Sequence, residues 1–387
     1  MRSLIICGLI LAFVSPCICV VFNSTTNAYN VIDFGAKGNG KTDDSQAFLR
    51  AWESTCGAEE MGTLIIPSNY EFLLSPLILK GPCKASSVQI QIQGKLVAPA
   101  KKKWRSYYFT WILITNVNGL IVDGSEGSLH GSGSTWWSCK HCRRPSVISF
   151  NACNDLSVSY LNIMNSPRSH INVNDCDNAT FSSITIHSPP NTPNTDGIDV
   201  YASKNIWIKD SNIACGDDCI AISGNSSYVN VTGVACGPGH GISIGSLGRG
   251  NAMTAEQIYV QNCSFTRTTN GARIKTFPNG PGYARAITFE QITLIKAGNP
   301  IVINQFYNDP STWGEVEVSE ITFRDFNGTS AYDKAITLNC DPQGCFNITL
   351  DQINIVSSKG GKRVYCSGRN VHGTATSTYP NCSCLSS

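Results

Sequence analysis

The sequence has little charge and no marked excess of either sign. Its 387 residues include 29 Lys and Arg against 27 Asp and Glu, and charged residues make up only 14% of the chain. Binding to nucleic acid requires a strong basic excess, so this composition excludes a nucleic-acid-binding protein. The hydrophobic content of 42% is enough to form a core, which excludes wholesale disorder.

Long apolar runs are also missing. The apolar stretch from Leu4 to Val14 is shorter than the about 20 residues that a membrane-spanning helix needs. It follows Arg2 and precedes Pro16, so we predict a cleaved secretory signal peptide over residues 1–19. We therefore expect a secreted, extracellular protein with no membrane partner and a single domain over residues 20–387.

Methionine is scarce, with four residues, whereas glycine is plentiful, with 34. This composition favours strands and turns over a helical bundle. Three of the 18 cysteines lie in the predicted signal, and in an oxidising compartment we expect the other 15 to form mostly disulfides, with one odd thiol. Sequons that agree with a secreted glycoprotein occur at Asn23, Asn178, Asn225, Asn230, Asn262, Asn327, Asn347 and Asn381.

An apolar pattern repeats through the middle and C-terminal parts of the chain. Apolar residues stand at positions a, a+2, a+5 and a+7, most clearly at Leu156, Val158, Leu161 and Ile163. Copies, four of them weaker, begin at Leu156, Ala179, Ile206, Val229, Ile258, Ile287, Ile321 and Ile348.

Each copy consists of two short alternating strands joined by a polar bend. Such a unit cannot bury its apolar edge alone, but copies stacked about 4.8 Å apart form a continuous core. We therefore predict an all-β fold, a single-stranded parallel β-helix. An antiparallel sandwich would need regular hairpin turns, and the Asn-Gly and Asp-Gly pairs are too few.

Both ends of the solenoid need closing. The segment Asp43-Asp44-Ser45, followed by Ala47, Phe48, Leu49, Ala51 and Trp52, predicts a short capped helix over the N-terminal coil. At the other end, a disulfide-stapled closing segment is predicted from Cys340, Cys345, Cys366, Cys382 and Cys384.

Numbering polar residues from the start of their coil reveals a candidate site. Asp217 lies 11 residues after Ile206, and His240 lies 11 residues after Val229, so stacked coils bring the two side by side. Asp218 is adjacent, Asp196 comes one coil earlier, and Arg273 and Lys275 follow on the next coil. Asp217 and Asp218 can share a cleft only if the backbone departs from regular pleating, which Gly216 permits.

Clustered carboxyl groups raise one another's pKa, so one can keep its proton while its neighbours ionise. Glycoside hydrolysis needs this division between acid and base.

The ordered motifs Asn194-Thr195-Asp196, Gly216-Asp217-Asp218, Gly239-His240-Gly241 and Arg273-Ile274-Lys275 resemble those of the plant-type polygalacturonases of glycoside hydrolase family 28. The resemblance extends from about Tyr29 to the C-terminus. It implies a right-handed parallel β-helix, a polysaccharide substrate (pectin, or polygalacturonate) and a location in the cell wall. We expect a monomer that uses no cofactor and no metal.

The resemblance also implies roles for the site residues. In an inverting hydrolase, Asp217 would protonate the glycosidic oxygen, Asp196 and Asp218 would activate water, and His240 would assist Asp217. Substrate-binding residues implied by the resemblance are Arg273, Lys275, Asn194 and Tyr307. It suggests the disulfides Cys56–Cys83, Cys219–Cys236 and Cys340–Cys345.

Other interpretations are weaker. A pectate lyase with the same fold would use Ca²⁺, and a non-catalytic wall-binding β-helix would need only the solenoid. The segment from Gly35 to Thr42 matches a phosphate-binding loop, but Asp43 and Asp44 place negative charge where phosphate would bind, so we predict a turn before the helix. For Cys139, His141 and Cys142 we favour a disulfide over a metal site.

Overall fold

Strands make up most of the protein, for which a computed structural model describes residues 27–105, 107–139, 141–278, 280–308 and 315–385. The predicted signal peptide and the sequon at Asn23 lie outside these residues. Among the described helices, none is long and apolar enough to cross a membrane. Besides the α-helix Ser45–Cys56 there are two 3₁₀ turns, Lys101–Lys103 and Gly133–Thr135.

One sheet has 11 parallel strands, each contributed by a different coil. In order along the sheet these are Leu77–Lys80, Thr110–Thr115, Ser146–Asn151, Ile171–Asn174, Ile198–Tyr201, Ile220–Ile222, Ile242–Leu247, Asn270–Thr276, Asn299–Asn304, Lys334–Asn339 and Tyr365–Arg369.

The second sheet has 21 strands and carries the repeated apolar pattern. Its strands are Asn27–Asn30, Asn39–Asp43, Met61–Ile66, Glu71–Leu73, Ser87–Ile92, Lys95–Val97, Leu120–Asp123, Ser128–His130, Leu156–Ser159, Asn162–Met164, Asp177–Ser182, Thr185–His187, Lys204–Lys209, Asn212–Ala214, Ser226–Thr232, Ala235–Cys236, Met253–Thr266, Pro281–Ala297, Glu315–Ser330, Cys345–Ser357 and Val371–Tyr379.

The predicted register of the repeat is confirmed at every step. Leu156 pairs with Ala179, Ala179 with Ile206, and the series continues through each predicted start to the pair Ile321 and Ile348. The apolar side chains at these positions point inward and are buried in one continuous core. The protein is a right-handed parallel β-helix, as predicted, and the described strand pairs are parallel.

Each of the eight copies turns its corners with left-handed backbone at two fixed positions. The residue before each start has positive φ, as Asp155 does at 53° and Asn347 does at 55°. The bend residue at a+4 does the same, from Tyr160 at 57° to Gln352 at 55°. Glycine holds this bend in one copy, at Gly233, so here the coil geometry overrides the usual avoidance of this region by other residues.

The N-terminal helix Ser45–Cys56 packs on the first coils, and it buries Phe48 and Trp52 there. The Phe48 ring lies edge-on to Phe72, with ring centres 5.3 Å apart. The Trp52 indole Nε1 donates to the carbonyl of Lys80 over 3.2 Å. The helix therefore covers the open end of the core, where an uncapped coil would expose apolar side chains.

The segment that matches a phosphate-binding loop binds a carboxylate of its own chain. The backbone N–H groups of Lys37 and Gly38 donate to the two Asp44 oxygens over 2.7 and 3.0 Å. Asp44 stands at the N-cap position, but its side chain does not cap the helix. Residues Asn39–Asp43, expected to be a turn, form a short strand instead.

The prediction of a single odd thiol is wrong. Among the cysteines that the structure describes, five disulfides form: Cys56–Cys83, Cys139–Cys142, Cys219–Cys236, Cys340–Cys345 and Cys366–Cys382. Five of the described cysteines stay free: Cys153, Cys176, Cys215, Cys263 and Cys384. Four of these five are buried among the inward-facing residues, where a thiol serves as a small hydrophobic group.

Candidate active site

The same turn on three consecutive coils supplies the central acidic and imidazole groups. Asp196, Asp218 and His240 each precede a strand of the 11-stranded sheet by two residues. Those strands begin at Ile198, Ile220 and Ile242, which pair in register. Parallel stacking thus converts a spacing of 22 residues along the chain into adjacent positions on one face of the solenoid.

Gly216 permits the adjacent carboxylates for a different reason from the one expected. Its φ is not in the left-handed region, but a Cβ atom there would lie 2.2 Å from the carbonyl oxygen of Thr192. The backbone N–H of Gly216 donates to the Thr195 hydroxyl over 2.9 Å. Close packing against the neighbouring coil, and not backbone freedom, therefore requires glycine beside Asp217.

Asp218 is the most enclosed carboxylate of the site and is 1% exposed. One oxygen accepts from Arg273 Nη2 over 2.6 Å, and the other accepts from Lys275 Nζ over 2.7 Å. Buried charges need such partners, because an unpaired ion would lose its hydration without compensation. The two cations predicted to bind substrate thus also form ion pairs with the buried Asp218 carboxylate.

Asp217 pairs with His240 across neighbouring coils. The His240 Nδ1 atom lies 2.9 Å from Asp217 Oδ1, and the His240 backbone N–H donates to the Asp217 carbonyl. Burial alone would raise the pKa of Asp217, but the hydrogen bond and charge of His240, aided by Lys275, lower it below its ordinary value.

The opposite shift occurs at Asp196 and Asp199. Burial at the floor of the cleft raises the pKa of Asp196 well above its ordinary value, and the charges of Asp199, Asp217 and Asp218 raise it further. Burial also raises the pKa of Asp199, to about 7, although Arg168 opposes the shift. In the unliganded protein the retained proton is therefore held by the Asp196 and Asp199 pair, whereas the resemblance implies that Asp217 carries a proton when the glycosidic bond breaks.

A buried histidine supports Asp196 from behind. His170 is fully buried; its Nδ1 lies 2.7 Å from the Asp196 carbonyl, and its Nε2 lies 2.8 Å from the Ser188 hydroxyl. Burial lowers the pKa of His170 to about 4, so the ring is neutral at mildly acidic and neutral pH. A neutral ring offers one donor and one acceptor, which matches these two contacts.

Two further predicted residues flank the carboxylates. The Asn194 side chain donates to Asp217 Oδ2 over 3.4 Å and accepts from Arg144 Nη2 over 2.8 Å. Tyr307 lies on the opposite side, where its ring centre is 5.1 Å from Lys275 Nζ and 5.9 Å from Arg273 Cζ. Contacts therefore connect seven of the eight predicted site residues, and the eighth, Asp196, lines one cleft with Asp218 and Lys275.

Asp217, Asp218 and His240 could by spacing alone hold a metal, because one possible ligand atom from each lies within 4.8 Å of the others. The surrounding positive charges, however, oppose the binding of a metal ion at these residues. Arg273 and Lys275 neutralise Asp218, and His240 already engages Asp217. A divalent cation would have to displace these partners and remain close to two fixed positive charges.

Sequence reasoning missed four residues of this region: Arg144, Arg168, His170 and Asp199. The register could have identified Asp199, because it faces outward between Ile198 and Val200, in the column that also contains Asn172 and Ser243. Arg144 carried no such signal, because it reaches Asn194 from 50 residues away through a loop outside the repeat.

Comparison with known proteins identifies the family. Residues 56–382 match the sequence profile of glycosyl hydrolases family 28. The chain belongs to this family. A probable polygalacturonase of Arabidopsis thaliana is 44% identical over 373 residues, which cover 94% of this chain and 81% of that protein. A polygalacturonase of Prunus persica is 37% identical over 371 residues, which cover 92% of this chain and 93% of that protein.

A solved structure agrees with this assignment. The endo-xylogalacturonan hydrolase from Aspergillus tubingensis superposes on this protein with a TM-score of 0.79 and 26% sequence identity. The superposition covers 90% of this chain and 100% of the hydrolase chain. The resemblance found in the four motifs is confirmed. This family 28 protein is a glycoside hydrolase, which disfavours the lyase and the non-catalytic alternatives.

Proposed function

We propose that this enzyme hydrolyses the α-1,4-galacturonosidic bonds of polygalacturonate. The observation that carries the proposal is the convergence of Asp196, Asp217 and Asp218 with His240 beside the cations Arg273 and Lys275. The carboxyl groups suit acid and base roles, and the cations suit a substrate with a carboxylate on each sugar. Its polygalacturonase relatives support this choice of substrate.

In the proposed reaction, Asp217 donates a proton to the glycosidic oxygen as the bond from that oxygen to the anomeric carbon breaks. A water held by Asp196 and Asp218 attacks the anomeric carbon from the opposite face and gives its proton to Asp196. The product sugar has inverted configuration, because a single displacement occurs.

The proton must move before this reaction can start, since the unliganded site holds it at Asp196 and Asp199. Substrate binding supplies two causes. A bound galacturonate brings negative charge and excludes water near Asp217, and both effects raise the pKa of a carboxyl group. The proton that leaves Asp196 is then taken up by Asp217, whose Oδ1 lies 2.9 Å from His240 Nδ1, and Asp196 becomes free to act as the base.

Arg273 and Lys275 can serve both Asp218 and the substrate. Arg273 uses Nη2 for Asp218 and Nε for the Ser243 hydroxyl, and within the described residues its Nη1 has no partner. Lys275 uses one of its three N–H donors for Asp218. Lys275 lines the cleft, and the remaining donors of both cations can hold a galacturonate carboxylate, with Tyr307 alongside.

We also propose that the enzyme is a secreted monomer that acts in the cell wall. Disulfides fit an extracellular protein. Six of the seven sequons in the described residues have exposed asparagines, and Asn230 is half-buried, so they are accessible to glycosylation enzymes.

The test is the Asp217→Asn variant, assayed by reducing-sugar release from polygalacturonate. We expect normal folding, shown by unchanged circular dichroism, and a fall in kcat of at least about a hundredfold, the usual scale for a general acid. Asp333→Asn, at an exposed aspartate away from the cleft, is the matched control and should keep full activity. Retained activity in Asp217→Asn would remove Asp217 from the mechanism.

The wild-type reaction provides two further checks. Proton NMR should show the inverted anomer as the first product, and the rate should peak at mildly acidic pH and fall by pH 8. An unsaturated, ultraviolet-absorbing product that a chelator abolishes would indicate a lyase instead.

A further inference from the structure

The described part of the chain has an uncompensated cluster of positive charge beside the cleft. Arg143, Arg144 and Arg168 surround one pocket, and within the described residues none of the three forms an ion pair with a carboxylate. Arg273 and Lys275, by contrast, are both paired with Asp218. Arg168 belongs to the coil before that of Asp196, and Arg273 and Lys275 belong to the coil after that of His240. The unpaired Arg168 thus lies on the other side of the catalytic carboxylates from Arg273 and Lys275.

The three guanidinium groups are held close together despite their repulsion. Burial and the neighbouring charge of Arg168 both lower the pKa of Arg144. Arg144 is fixed by its hydrogen bond to Asn194, and Arg143 lies over the Phe109 ring, 4.7 Å from its centre. Like charges gathered in this way favour an anion between them, since it would relieve their repulsion.

The pocket is continuous with the catalytic cleft. Arg168 lines both the pocket and the cleft that contains Asp196, Asp199 and Asp218. Asn194 contacts Arg144 on the pocket side and Asp217 on the catalytic side. A chain of sugars with its scissile bond at Asp217 would thus extend directly into the pocket.

Size and surface also suit a charged sugar. The pocket has a volume of about 540 Å³, within the range of small-molecule sites. Phe109 is 46% exposed and offers an apolar face, while guanidinium groups bind carboxylates through paired N–H donors. The seven residues that line this arginine pocket are Phe109, His141, Cys142, Arg143, Arg144, Arg168 and Asn194.

We propose that the arginine pocket binds the carboxylate of a galacturonate residue adjoining the cleavage site, and that it sets the enzyme's preference for unesterified substrate. This proposal rests on the proposed polygalacturonate hydrolysis. Arg144 and Arg168 donate hydrogen bonds to the carboxylate, and Phe109 contacts the sugar ring. A methyl ester at this sugar removes the charge that the pocket recognises.

The test measures binding apart from turnover. Each variant is made in the inactive Asp217→Asn background: Arg144→Gln, Arg168→Gln and the control Arg363→Gln. Calorimetry then gives the Kd of each variant for trigalacturonate and for its fully methylated ester. Arg363 is an exposed arginine near the C-terminal end. We expect about a tenfold weaker Kd for trigalacturonate in the first two variants, no difference between variants for the ester, and no effect of the control.

Either of two results would overturn the proposal: unchanged trigalacturonate affinity in both pocket variants, or an equal loss for acid and ester, which would indicate mere structural damage. Failure of the proposed function looks different. If the wild-type enzyme leaves polygalacturonate uncut while charge-dependent binding still requires Arg144 and Arg168, the subsite stands and the hydrolase substrate is wrong.

Discussion

At the scale of single residues, carboxyl groups of the same type behave differently because their neighbours differ. Asp218 has two cationic partners, Asp217 has an imidazole, and Asp196 has mainly burial and other carboxylates. The result is an acidic cluster in which the pKa of Asp196 is raised and that of Asp217 is lowered. Because these carboxyl groups interact, they lose their protons in successive steps, and the upper pKa of these steps belongs to the cluster as a whole.

The first prediction concerns this upper pKa. Asp199→Asn removes a charge that raises the pKa of Asp196, so the pKa of Asp196 should fall. In the profile of kcat/KM, which reports the free enzyme, the alkaline limb marks loss of the last proton. We expect that limb to move to lower pH. An alkaline limb that stays in place or moves to higher pH would contradict the assigned charge interaction.

At the scale of the repeated element, the coil is defined by its apolar positions and its two left-handed corners. The corner at a+4 separates the two halves of each copy, at residues as different as Tyr160, Asp210 and Gln291. In the later copies, such as Pro281–Ala297, the strand continues through this corner. A position that accepts such different side chains is set by backbone geometry and not by side-chain contacts. Residues that tolerate left-handed backbone should therefore be accepted there, and β-branched residues should not.

Gln291 tests this rule, because its side chain is exposed and its φ is 55°. We expect Gln291→Val to lower the free energy of unfolding by about 1–2 kcal/mol, because a β-branched side chain fits left-handed backbone worse than the unbranched glutamine does. Gln291→Asn should be neutral or slightly stabilising, since asparagine tolerates this region. Urea unfolding of both variants provides the measurement, and equal stability of the two would refute the backbone explanation.

At the scale of the whole molecule, the solenoid is a linear stack whose ends need protection. The helix Ser45–Cys56 closes the N-terminal end, and the disulfide Cys366–Cys382 staples the last coil. An exposed terminal coil would present apolar side chains and unpaired strand groups to other molecules. The ends should therefore govern both stability and self-association.

Phe48 and Gln46 lie on opposite faces of the closing helix and form a matched pair for testing this role. Phe48→Ala should destabilise the protein by about 3–5 kcal/mol and increase association at high concentration, because it opens a cavity over the first coil. Gln46→Ala, at an exposed position, should change stability by less than about 0.5 kcal/mol. Thermal unfolding and light scattering would show the contrast; similar behaviour of the two would mean that the helix does not cap the core.

The amino-acid sequence by itself determined the path of the coil and the approximate place of the site. Its apolar spacing measures register directly, since each inward position must stack on the next, and this predicted every step from Leu156 to Ile348. The same numbering placed Asp217 beside His240. Recognition of the family rested on four short motifs that the register brings together.

Only the tertiary structure decided how the side chains share their charges and protons. Arg273 and Lys275 reach Asp218 across 55 and 57 residues, and Arg144 reaches Asn194 across 50. Such contacts depend on side-chain length, burial and loop paths outside the repeat, none of which periodicity encodes. The same holds for the unpaired cysteines, because a thiol and a disulfide look alike in sequence until the distance to a partner is known.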